Sequence, residues 1–247
     1  MNVIILAAGQ GSRMGKVTST TPKPLLPIGN TNVISRLISQ LISRGVKRIT
    51  IVVGFKAEIF YDKLNSLFPK KLDFVLNKDF KQDVNIYSVY LALKEKKYSD
   101  YVVFESDCIY TDTSIDRIIQ SCKIANSHWY SIGRFKQNQN GGILTSNNQN
   151  LINDLRIVPR YENHFVSYNK LIGILHVHAG NSELYFELLE KEVKKNINQY
   201  YLQPWINNLE NLPAYEVELG NNAEAFNTEN EYNDSKFFYE EKMVKYY

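Results

Sequence analysis

The chain contains 247 residues, of which 44% are hydrophobic and 22% charged, and its formal net charge is +3. A chain of this size can bury a large core, and its composition excludes disordered, collagen-like and membrane-spanning proteins. With this small net charge, the chain does not have the excess of basic residues that is typical of nucleic-acid-binding proteins. We therefore expect a small anionic ligand and neither a nucleic-acid nor a membrane partner.

The start of the chain and its two cysteines indicate the cellular compartment. Met1 leads directly into an apolar run that is too short, and too uncharged at its start, for a secretory signal. Cys108 and Cys122 lack the C-x-x-C spacing of zinc sites, and we interpret both as reduced thiols. These features predict a cytoplasmic protein.

In the first half of the chain, apolar runs typical of buried strands alternate with segments of helical spacing. Continuous apolar, β-branched runs that stop at glycine or polar residues favour buried parallel strands, and apolar residues three and four apart favour helices. The predicted order is strand 3–8, helix 33–43, strand 48–54, helix 58–67, strand 72–77, helix 86–93 and strand 101–105.

The second half alternates less regularly and is expected to form a lid and an acceptor-binding lobe. A polar turn is predicted at 147–150, and a terminal helix over 229–247 is expected to pack across the sheet. The remaining predicted elements are strands 129–135, 142–145, 171–178 and 215–219 and helices 182–196 and 206–212.

Residues 6–15, LAAGQGSRMG, form a glycine-rich loop after the first predicted strand. A dinucleotide-binding fingerprint would require a third glycine at Met14 and an acidic residue where Gly54 ends the second strand. A Walker A loop would require four residues between its glycines and a Ser or Thr after the lysine, but Val17 follows Lys16. Both of these phosphate loops are therefore disfavoured.

The same segment suits phosphate binding in another way. Gly9 and Gly11 allow the backbone to wrap closely around phosphate groups, and Arg13 offers a bidentate guanidinium. Lys23 lies between two prolines, which stiffen the backbone that presents its ammonium group. Preorganised cations of this kind serve phosphoryl transfer, and an exposed basic loop is the alternative interpretation.

Leu6-Ala-Ala-Gly-Gln-Gly-Ser-Arg13, together with Thr21-Pro-Lys-Pro24, resembles the signature of the sugar-phosphate nucleotidylyltransferases, a family of nucleoside-triphosphate transferases. The resemblance is clearest over residues 1–110 and resumes near Asn227. It implies a three-layer α/β/α fold with a mixed, mainly parallel sheet, Rossmann-like and similar to GT-A folds. One domain, 1–247, would comprise a nucleotide-binding half (1–110), an acceptor-binding lobe (111–220) and a closing metal motif with a C-terminal helix (221–247).

The resemblance also implies roles for individual residues. Arg13 and Lys23 would be the catalytic cations, with Arg13 on the leaving phosphates and Lys23 between the α-phosphate and the acceptor. The nucleotide-binding residues would be Leu6, Ala7, Ala8, Gly9, Gly11, Ser12, Asn85, Ser88 and Ser106.

Two separated positions resemble the family's magnesium ligands. Asp107 lies just beyond a predicted apolar strand, and Mg²⁺ is a hard ion that accepts one or two protein oxygens together with substrate phosphates. Asn227 stands where several relatives carry an aspartate as the second ligand. The resemblance therefore implies Mg²⁺ as cofactor, at a site that has one negative charge fewer than the site of those relatives. A turn cap for Asp107 and a helix cap for Asn227 are the alternatives.

Asn85-Ile-Tyr-Ser88 resembles the Asn-x-x-Ser segment of the phosphocholine cytidylyltransferase branch, and Glu105-Ser-Asp-Cys-Ile-Tyr110 resembles a segment of the 2-aminoethylphosphonate cytidylyltransferases. The Asn-x-x-Ser segment shifts the expected base towards cytosine. An asparagine amide can pair with a base edge through a donor and an acceptor, although the residue type alone selects no base. A helix cap is the alternative role for Asn85.

The candidates for acceptor binding are aromatic and basic. Tyr201 and Trp205, next to Tyr200, could form a cage for a quaternary ammonium group such as choline, with core packing as the alternative. Arg156 and Arg160 are the candidates to hold the acceptor phosphate.

The predicted reaction joins CTP to a phosphorylated small molecule, such as phosphocholine, phosphoethanolamine or 2-aminoethylphosphonate, with release of pyrophosphate. A sugar-1-phosphate nucleotidylyltransferase using UTP, GTP or dTTP is the first alternative, because the glycine loop permits both equally. A catalytically silent nucleotide-binding regulator is the second, since Asn227 replaces an aspartate. The Asn- and Lys-rich composition suggests surface-polysaccharide biosynthesis, and the sequence is compatible with a monomer or a homodimer.

Overall fold

Strands and helices alternate along the first half of the chain, and longer antiparallel strands follow. The structure, a computed structural model, describes residues 1–95 and 99–244. Its strands are β1 (Asn2–Ala7), β2 (Pro27–Ile28), β3 (Thr31–Asn32), β4 (Ile49–Val53), β5 (Leu72–Leu76), β6 (Tyr101–Glu105), β7 (Cys108–Tyr110), β8 (Ser127–Arg134), β9 (Gly141–Ser146), β10 (Ile152–Val158), β11 (Asn169–Val177), β12 (Ala214–Glu218) and β13 (Ala223–Ala225). Its α-helices are α1 (Val33–Ser43), α2 (Ala57–Leu67), α3 (Ile86–Glu95), α4 (Asp112–Ser121), α5 (Ala179–Lys195), α6 (Gln203–Ile206) and α7 (Glu229–Tyr239).

Nine strands of the described residues form one mixed sheet. Its order is β10-β9-β11-β6-β1-β4-β5, and β8 adds to β11 and carries β12. The strands β6, β1, β4 and β5 are parallel, whereas β11 runs antiparallel to β6 and connects the second half of the chain to the first. Because β1 has a neighbour on each side and helices on both faces, its sequence is apolar almost throughout. The predicted mixed, mainly parallel sheet is confirmed.

Helices cover both faces of this sheet. Because successive residues of a strand point to opposite faces, one apolar strand contributes side chains to the core on each face. Val3 and Ile5 of β1 pack with α1, α2 and α4 in one core cluster, whereas Ile4 and Leu6 pack with α3 and α5 in another. The predicted three-layer α/β/α architecture is therefore confirmed. No helix among the described residues is both long enough and apolar enough to cross a membrane.

The predicted elements of the first half are present with boundaries that differ by at most two residues, whereas the second half departs further from prediction. The helix α4 and the strand β10 are not among the predicted elements. In β10 the buried residues are Ile152, Leu155 and Val158, and a register shift between Ile152 and Asp154 interrupts the pairing with β9. This spacing of three conceals the alternation by which a strand is recognised.

The predicted helix at 206–212 is wrong. The helix α6 ends at Ile206, and turns carry Leu212 back so that its carbonyl accepts a hydrogen bond from Trp205 Nε1 at 2.7 Å. A continuing helix would instead place Leu212 about 10 Å further along its axis. The helix predicted over 229–247 consists of α7 and a π-helical segment, Glu240–Val244, and residues 245–247 lie outside the described residues.

Candidate active site

A cleft of about 220 Å³ opens at the carboxyl ends of β1 and β6, where the segments that follow parallel strands meet. Ser12, one of the nucleotide-binding candidates, is exposed at the start of the 3-10 helix Ser12–Thr18 and does not line this cleft. Most of the other predicted residues do line it: Leu6, Ala7, Ala8, Gly9, Gly11, Arg13, Lys23, Asn85, Ser88, Ser106, Asp107 and Asn227.

The glycine loop turns sharply after β1 and lies against the segment that carries Lys23. Gly11 has a φ of +65°, a left-handed conformation that favours glycine. A Cβ atom at Gly11 would also lie only 3.2 Å from Lys23 Cβ. Glycine at this position therefore allows Lys23 to approach the loop, while the buried Met14 anchors the loop to the protein.

Two cations and two oxygen ligands converge in the cleft. Lys23 Nζ contacts Asp107 Oδ2 at 2.7 Å and Asn227 Oδ1 at 3.2 Å, and Arg13 Nη2 donates to Asn227 Oδ1 at 2.7 Å. Burial acts to raise the pKa of Asp107, but the ion pair with Lys23 outweighs it and leaves this pKa below its usual value. Asp107 is therefore ionised at neutral pH, and the cluster keeps one excess positive charge that attracts phosphates.

Asn227 is held in place by the start of α7. Thr228 is the N-cap residue, and it forms a capping box with Glu231. Glu231 also accepts a hydrogen bond from the Asn227 backbone N–H. Because Thr228 caps the helix, the side chain of Asn227 is free to face Lys23 and Arg13.

The amide of Asn85 is engaged within the protein. Its Nδ2 donates to Glu105 Oε1 at 3.0 Å, and its Oδ1 accepts from the Tyr201 backbone N–H at 2.9 Å. The Ser88 hydroxyl is engaged as well, since it donates to Asp83 Oδ2 at 2.7 Å. The two residues singled out for the base therefore already bind other parts of the cleft wall.

The cleft continues into a second lobe of about 130 Å³ beside β9 and β11. Arg13, Glu105, Tyr200 and Asn227 line both lobes, so the cation cluster lies where the lobes meet. Burial and the negative charge of Asp107 raise the pKa of Glu105 to about 7. The second lobe is lined in addition by Trp129, Gly142, Lys170, Gly173 and Tyr201.

Lys170, which was not among the predicted site residues, lies on β11 in the second lobe. Its Nζ donates to the carbonyls of Leu171 at 2.8 Å and Gly142 at 3.3 Å, and it forms no ion pair among the residues that the structure describes. Burial lowers the pKa of this ammonium. An ammonium has three donors, so one N–H remains for a ligand. No local signal marked it, because Lys170 directly precedes the predicted strand 171–178 as an ordinary polar boundary residue would.

Three of the predicted acceptor residues do not reach the cleft. Trp205 is fully buried, and its indole N–H is bonded within the segment that follows α6. Arg156 is half exposed and pairs with Asp154 at 2.7 Å, and the side chain of Arg160 is 80% exposed. Neither arginine lines either lobe, because the inner face of β10 is taken by its apolar residues. Tyr201, the fourth candidate, does line the second lobe.

A family model described as the MobA-like NTP transferase domain matches residues 3–146, more than half of the chain. The chain belongs to this family. The part that matches the MobA-like NTP transferase domain contains Arg13, Lys23 and Asp107, whereas Lys170 and Asn227 lie beyond it.

Relatives of known name add to this assignment. The 2-aminoethylphosphonate cytidylyltransferase of Lancefieldella rimae is 37% identical over 114 residues, and the chain spans only 46% of that relative's length, with 46% of the chain matched. The choline-phosphate cytidylyltransferase of Haemophilus influenzae is 29% identical over 214 residues, covering 81% of this chain and 87% of the relative.

Solved structures share the fold over nearly the whole chain. The CTP:phosphocholine cytidylyltransferase from Streptococcus pneumoniae is 23% identical, and it superposes with a TM-score of 0.81 over 96% of this chain and 97% of that structure. The inositol-1-phosphate CTP transferase from T. maritima is 18% identical, with a TM-score of 0.76 over 99% of this chain and 95% of that structure. These likenesses confirm the nucleotidyltransferase fold.

Proposed function

We propose that this chain is a nucleotidyltransferase that transfers the CMP part of CTP to a phosphate or phosphonate oxygen of a small acceptor and releases pyrophosphate. The observation that carries the proposal is the hydrogen-bonded cluster of Arg13, Lys23, Asp107 and Asn227, in which Arg13 and Asn227 line both lobes of the cleft. One lobe would hold the triphosphate and the other the acceptor. The names of the relatives support CTP as the nucleotide.

The reaction is a direct displacement at phosphorus. An acceptor oxygen forms a bond to the α-phosphorus of CTP, while the bond from that phosphorus to the bridging oxygen breaks and its electron pair leaves with pyrophosphate. No covalent enzyme intermediate is needed, so positioning and charge neutralisation carry the catalysis. Lys23 would bridge the α-phosphate and the acceptor, and Arg13 would bind the leaving phosphates.

Asp107 and Asn227 suit a divalent cation. Asp107 Oδ2 and Asn227 Oδ1 both contact Lys23 Nζ, at 2.7 and 3.2 Å, so the two oxygens already face one shared cation. Mg²⁺ commonly takes one or two protein oxygens and completes its shell with water and substrate phosphates. When bound, Mg²⁺ would neutralise the charge that develops on the phosphates.

The second lobe suits a small acceptor with groups of both charges. Lys170 keeps one N–H for an anionic group, and Arg13 lies where this lobe meets the first. The Glu105 carboxylate and the rings of Tyr200 and Tyr201 line the same lobe, and carboxylates and aromatic faces attract organic cations. Phosphocholine, phosphoethanolamine and 2-aminoethylphosphonate combine both kinds of group, so they are the acceptors to test first.

Pyrophosphate release tests this function directly. The purified chain and Mg²⁺ are mixed with CTP, UTP, GTP, ATP or dTTP, each in combination with one of the three ammonium-bearing acceptors or with a sugar 1-phosphate. We expect release only with CTP and an ammonium-bearing acceptor. Release with a sugar 1-phosphate would assign the chain to sugar-nucleotide synthesis, and tight nucleotide binding without turnover would favour a silent regulator.

Replacing Lys23 tests the catalytic cluster. Lys23→Ala should lower turnover about 10²–10³-fold, because the loss of one preorganised charge-stabilising group typically costs that much. Lys63→Ala, on the exposed side of α2, is the matched control and should keep wild-type turnover. Circular dichroism checks that both variants fold, and full turnover in a folded Lys23→Ala variant would refute the assignment.

A further inference from the structure

The segment 199–201 reaches from the acceptor side of the cleft to the nucleotide side, and Asn85 holds it there. The Tyr201 N–H donates to Asn85 Oδ1 at 2.9 Å, while Asn85 Nδ2 donates to Glu105 Oε1 at 3.0 Å. The carbonyl of Gln199 accepts from the Ile86 N–H at 3.2 Å. Asn85 therefore joins the end of β6, the start of α3 and the segment 199–201.

These contacts set the position of Tyr200. Tyr200 is 41% exposed and lines both lobes, whereas Tyr201 is buried and its ring stacks on Trp129 at 5.5 Å. The Tyr185 hydroxyl donates to the Tyr201 carbonyl at 2.9 Å. The backbone of Tyr201 is thus fixed by Asn85 at its N–H and by Tyr185 at its carbonyl, which leaves Tyr200 at the junction of the lobes.

The same contacts determine the orientation of the Asn85 amide. One of its N–H groups and its carbonyl oxygen are bonded to two different elements, so the fold sets the direction of the amide before any base binds. Gly173 provides the room for this arrangement, since a Cβ atom at that position would lie 2.4 Å from Glu105 Cδ. A side chain at 173 would displace the carboxylate to which Asn85 donates.

We propose that Asn85 is a positioning residue for the acceptor, which it serves by holding the segment 199–201 so that Tyr200 closes the acceptor lobe. In this role Asn85 does not select the base. The inference rests on the nucleotidyltransferase function proposed above and assigns to the Asn-x-x-Ser segment a task different from base recognition.

Two substitutions and one matched control test this role. Asn85→Ala removes both hydrogen bonds, and Asn85→Asp keeps the shape of the side chain but replaces the donor with a second carboxylate that faces Glu105. Asn85 is half-buried, so both variants should fold. Asn181→Ala is the control, because Asn181 also lies at the start of a helix and donates to a distant carbonyl, that of Pro213 at 2.9 Å, and does not line the cleft.

The first measurement is amide hydrogen exchange over residues 196–202. We expect the Tyr201 amide to exchange about tenfold faster in Asn85→Ala, because the hydrogen bond that protects it is lost, closer to the wild-type rate in Asn85→Asp, because its carboxylate still accepts that hydrogen bond, and at the wild-type rate in Asn181→Ala. Unchanged exchange in Asn85→Ala would overturn the proposal. This readout needs no turnover, so a chain that is inactive with every acceptor would refute the proposed function and leave the exchange result valid.

The second measurement uses the acceptor identified by pyrophosphate release. We expect Asn85→Ala to raise the acceptor KM about tenfold, to leave the KM of CTP within about twofold, and to keep the wild-type preference for CTP over UTP. An unchanged acceptor KM would overturn the positioning role. A loss of the preference for CTP would do the same, and would assign Asn85 to the base.

Discussion

Lys23 and Lys170 show how surroundings give two lysines of the cleft different roles. Lys23 has an ionised partner, Asp107, so its ammonium is held in one place before any ligand binds. Among the described residues, Lys170 donates hydrogen bonds only to backbone carbonyls, and the charge of Glu105, which acts on it from beyond ion-pair distance, offsets only part of the cost of desolvating the ammonium. An anionic ligand would offset that cost, which is why we expect Lys170, rather than Arg156 or Arg160, to hold the acceptor phosphate or phosphonate.

Replacing Lys170 separates acceptor binding from nucleotide binding. Lys170→Met should raise the acceptor KM about 10–100-fold, since hydrogen bonds to charged groups contribute roughly 1.5–3 kcal/mol. Lys170→Arg should recover part of this loss, and Arg156→Ala, which removes an exposed side chain on β10, should have no effect. Steady-state kinetics give the KM values, and calorimetry gives the affinity for CTP. An equal loss of CTP affinity would place Lys170 in the nucleotide site instead.

At the scale of elements, short local structures and one strand pairing position the side chains of the site more than the long helices do. The 3-10 helix Lys23–Leu25 presents Lys23, and the capping box at the start of α7 leaves Asn227 free. The pairing of β6 with β11 connects the two halves of the chain and places Glu105 against Gly173. Each of these three features brings one side chain to the carboxyl edge of the sheet.

The packing between β6 and β11 can be tested with a pair of glycine substitutions. Gly173→Ala should destabilise the protein by about 1–3 kcal/mol, because its Cβ would lie 2.4 Å from Glu105 Cδ and force that side chain to move. Gly180→Ala, in the first turn of α5, has no atom nearer than 3.4 Å and should be neutral or stabilising by up to about 1 kcal/mol. Urea unfolding compares the two, and a Gly173→Ala variant as stable as Gly180→Ala would contradict this view of the contact.

At the scale of the whole molecule, the candidate site lies at the carboxyl edge of the sheet, whereas a buried histidine pair lies towards the amino edge. The cleft lies at the carboxyl end of β6, whereas a buried histidine pair lies near its amino end, where His176 is in register with Val102. His128 Nδ1 and His176 Nδ1 are 3.1 Å apart across β8 and β11, and Asp100 Oδ2 lies 3.5 Å from His176 Nε2. The histidine pair therefore bears on stability rather than on the site.

His128 makes the stability of the fold sensitive to acid. Burial, together with the neighbouring His176 and His178, lowers the pKa of His128 to about 4 from an ordinary value of 6.5. Because the unfolded chain binds this proton more readily, the contribution is fully present above pH 6.5 and is lost as the pH falls towards 4. The expected loss between about pH 7 and pH 4.5 is about 2 kcal/mol, measured by urea unfolding.

Two histidine variants identify the group responsible. His128→Gln should flatten the pH dependence of the unfolding free energy, whatever its effect on stability at neutral pH. His164→Gln should keep the wild-type dependence, since the His164 side chain is 61% exposed. A wild-type slope in His128→Gln would show that another group titrates in this range.

The alternation of strands and helices in the first half was predictable because each signal is local. The run of β1 is continuously apolar and rich in β-branched residues, so its residues alone predict a strand that is buried on both faces. The structure of the segment 206–212 does not follow from its local pattern, because the hydrogen bond between Trp205 and Leu212 overrides its helical spacing. The register shift in β10 acts in the same way by disturbing the period on which prediction depends.

By itself, the sequence pointed to the glycine-rich loop and Lys23 through their residue types, and the family resemblance added Asp107 and Asn227 as expected metal ligands. Only the tertiary structure decided which of these meet, since Lys23 and Asp107 are 84 residues apart. It also decided that Asn85 binds Glu105 and Tyr201, that Trp205 is buried and that Lys170 faces the second lobe. The physical reason is that burial, pairing and desolvation depend on contacts between distant segments, which no local pattern records.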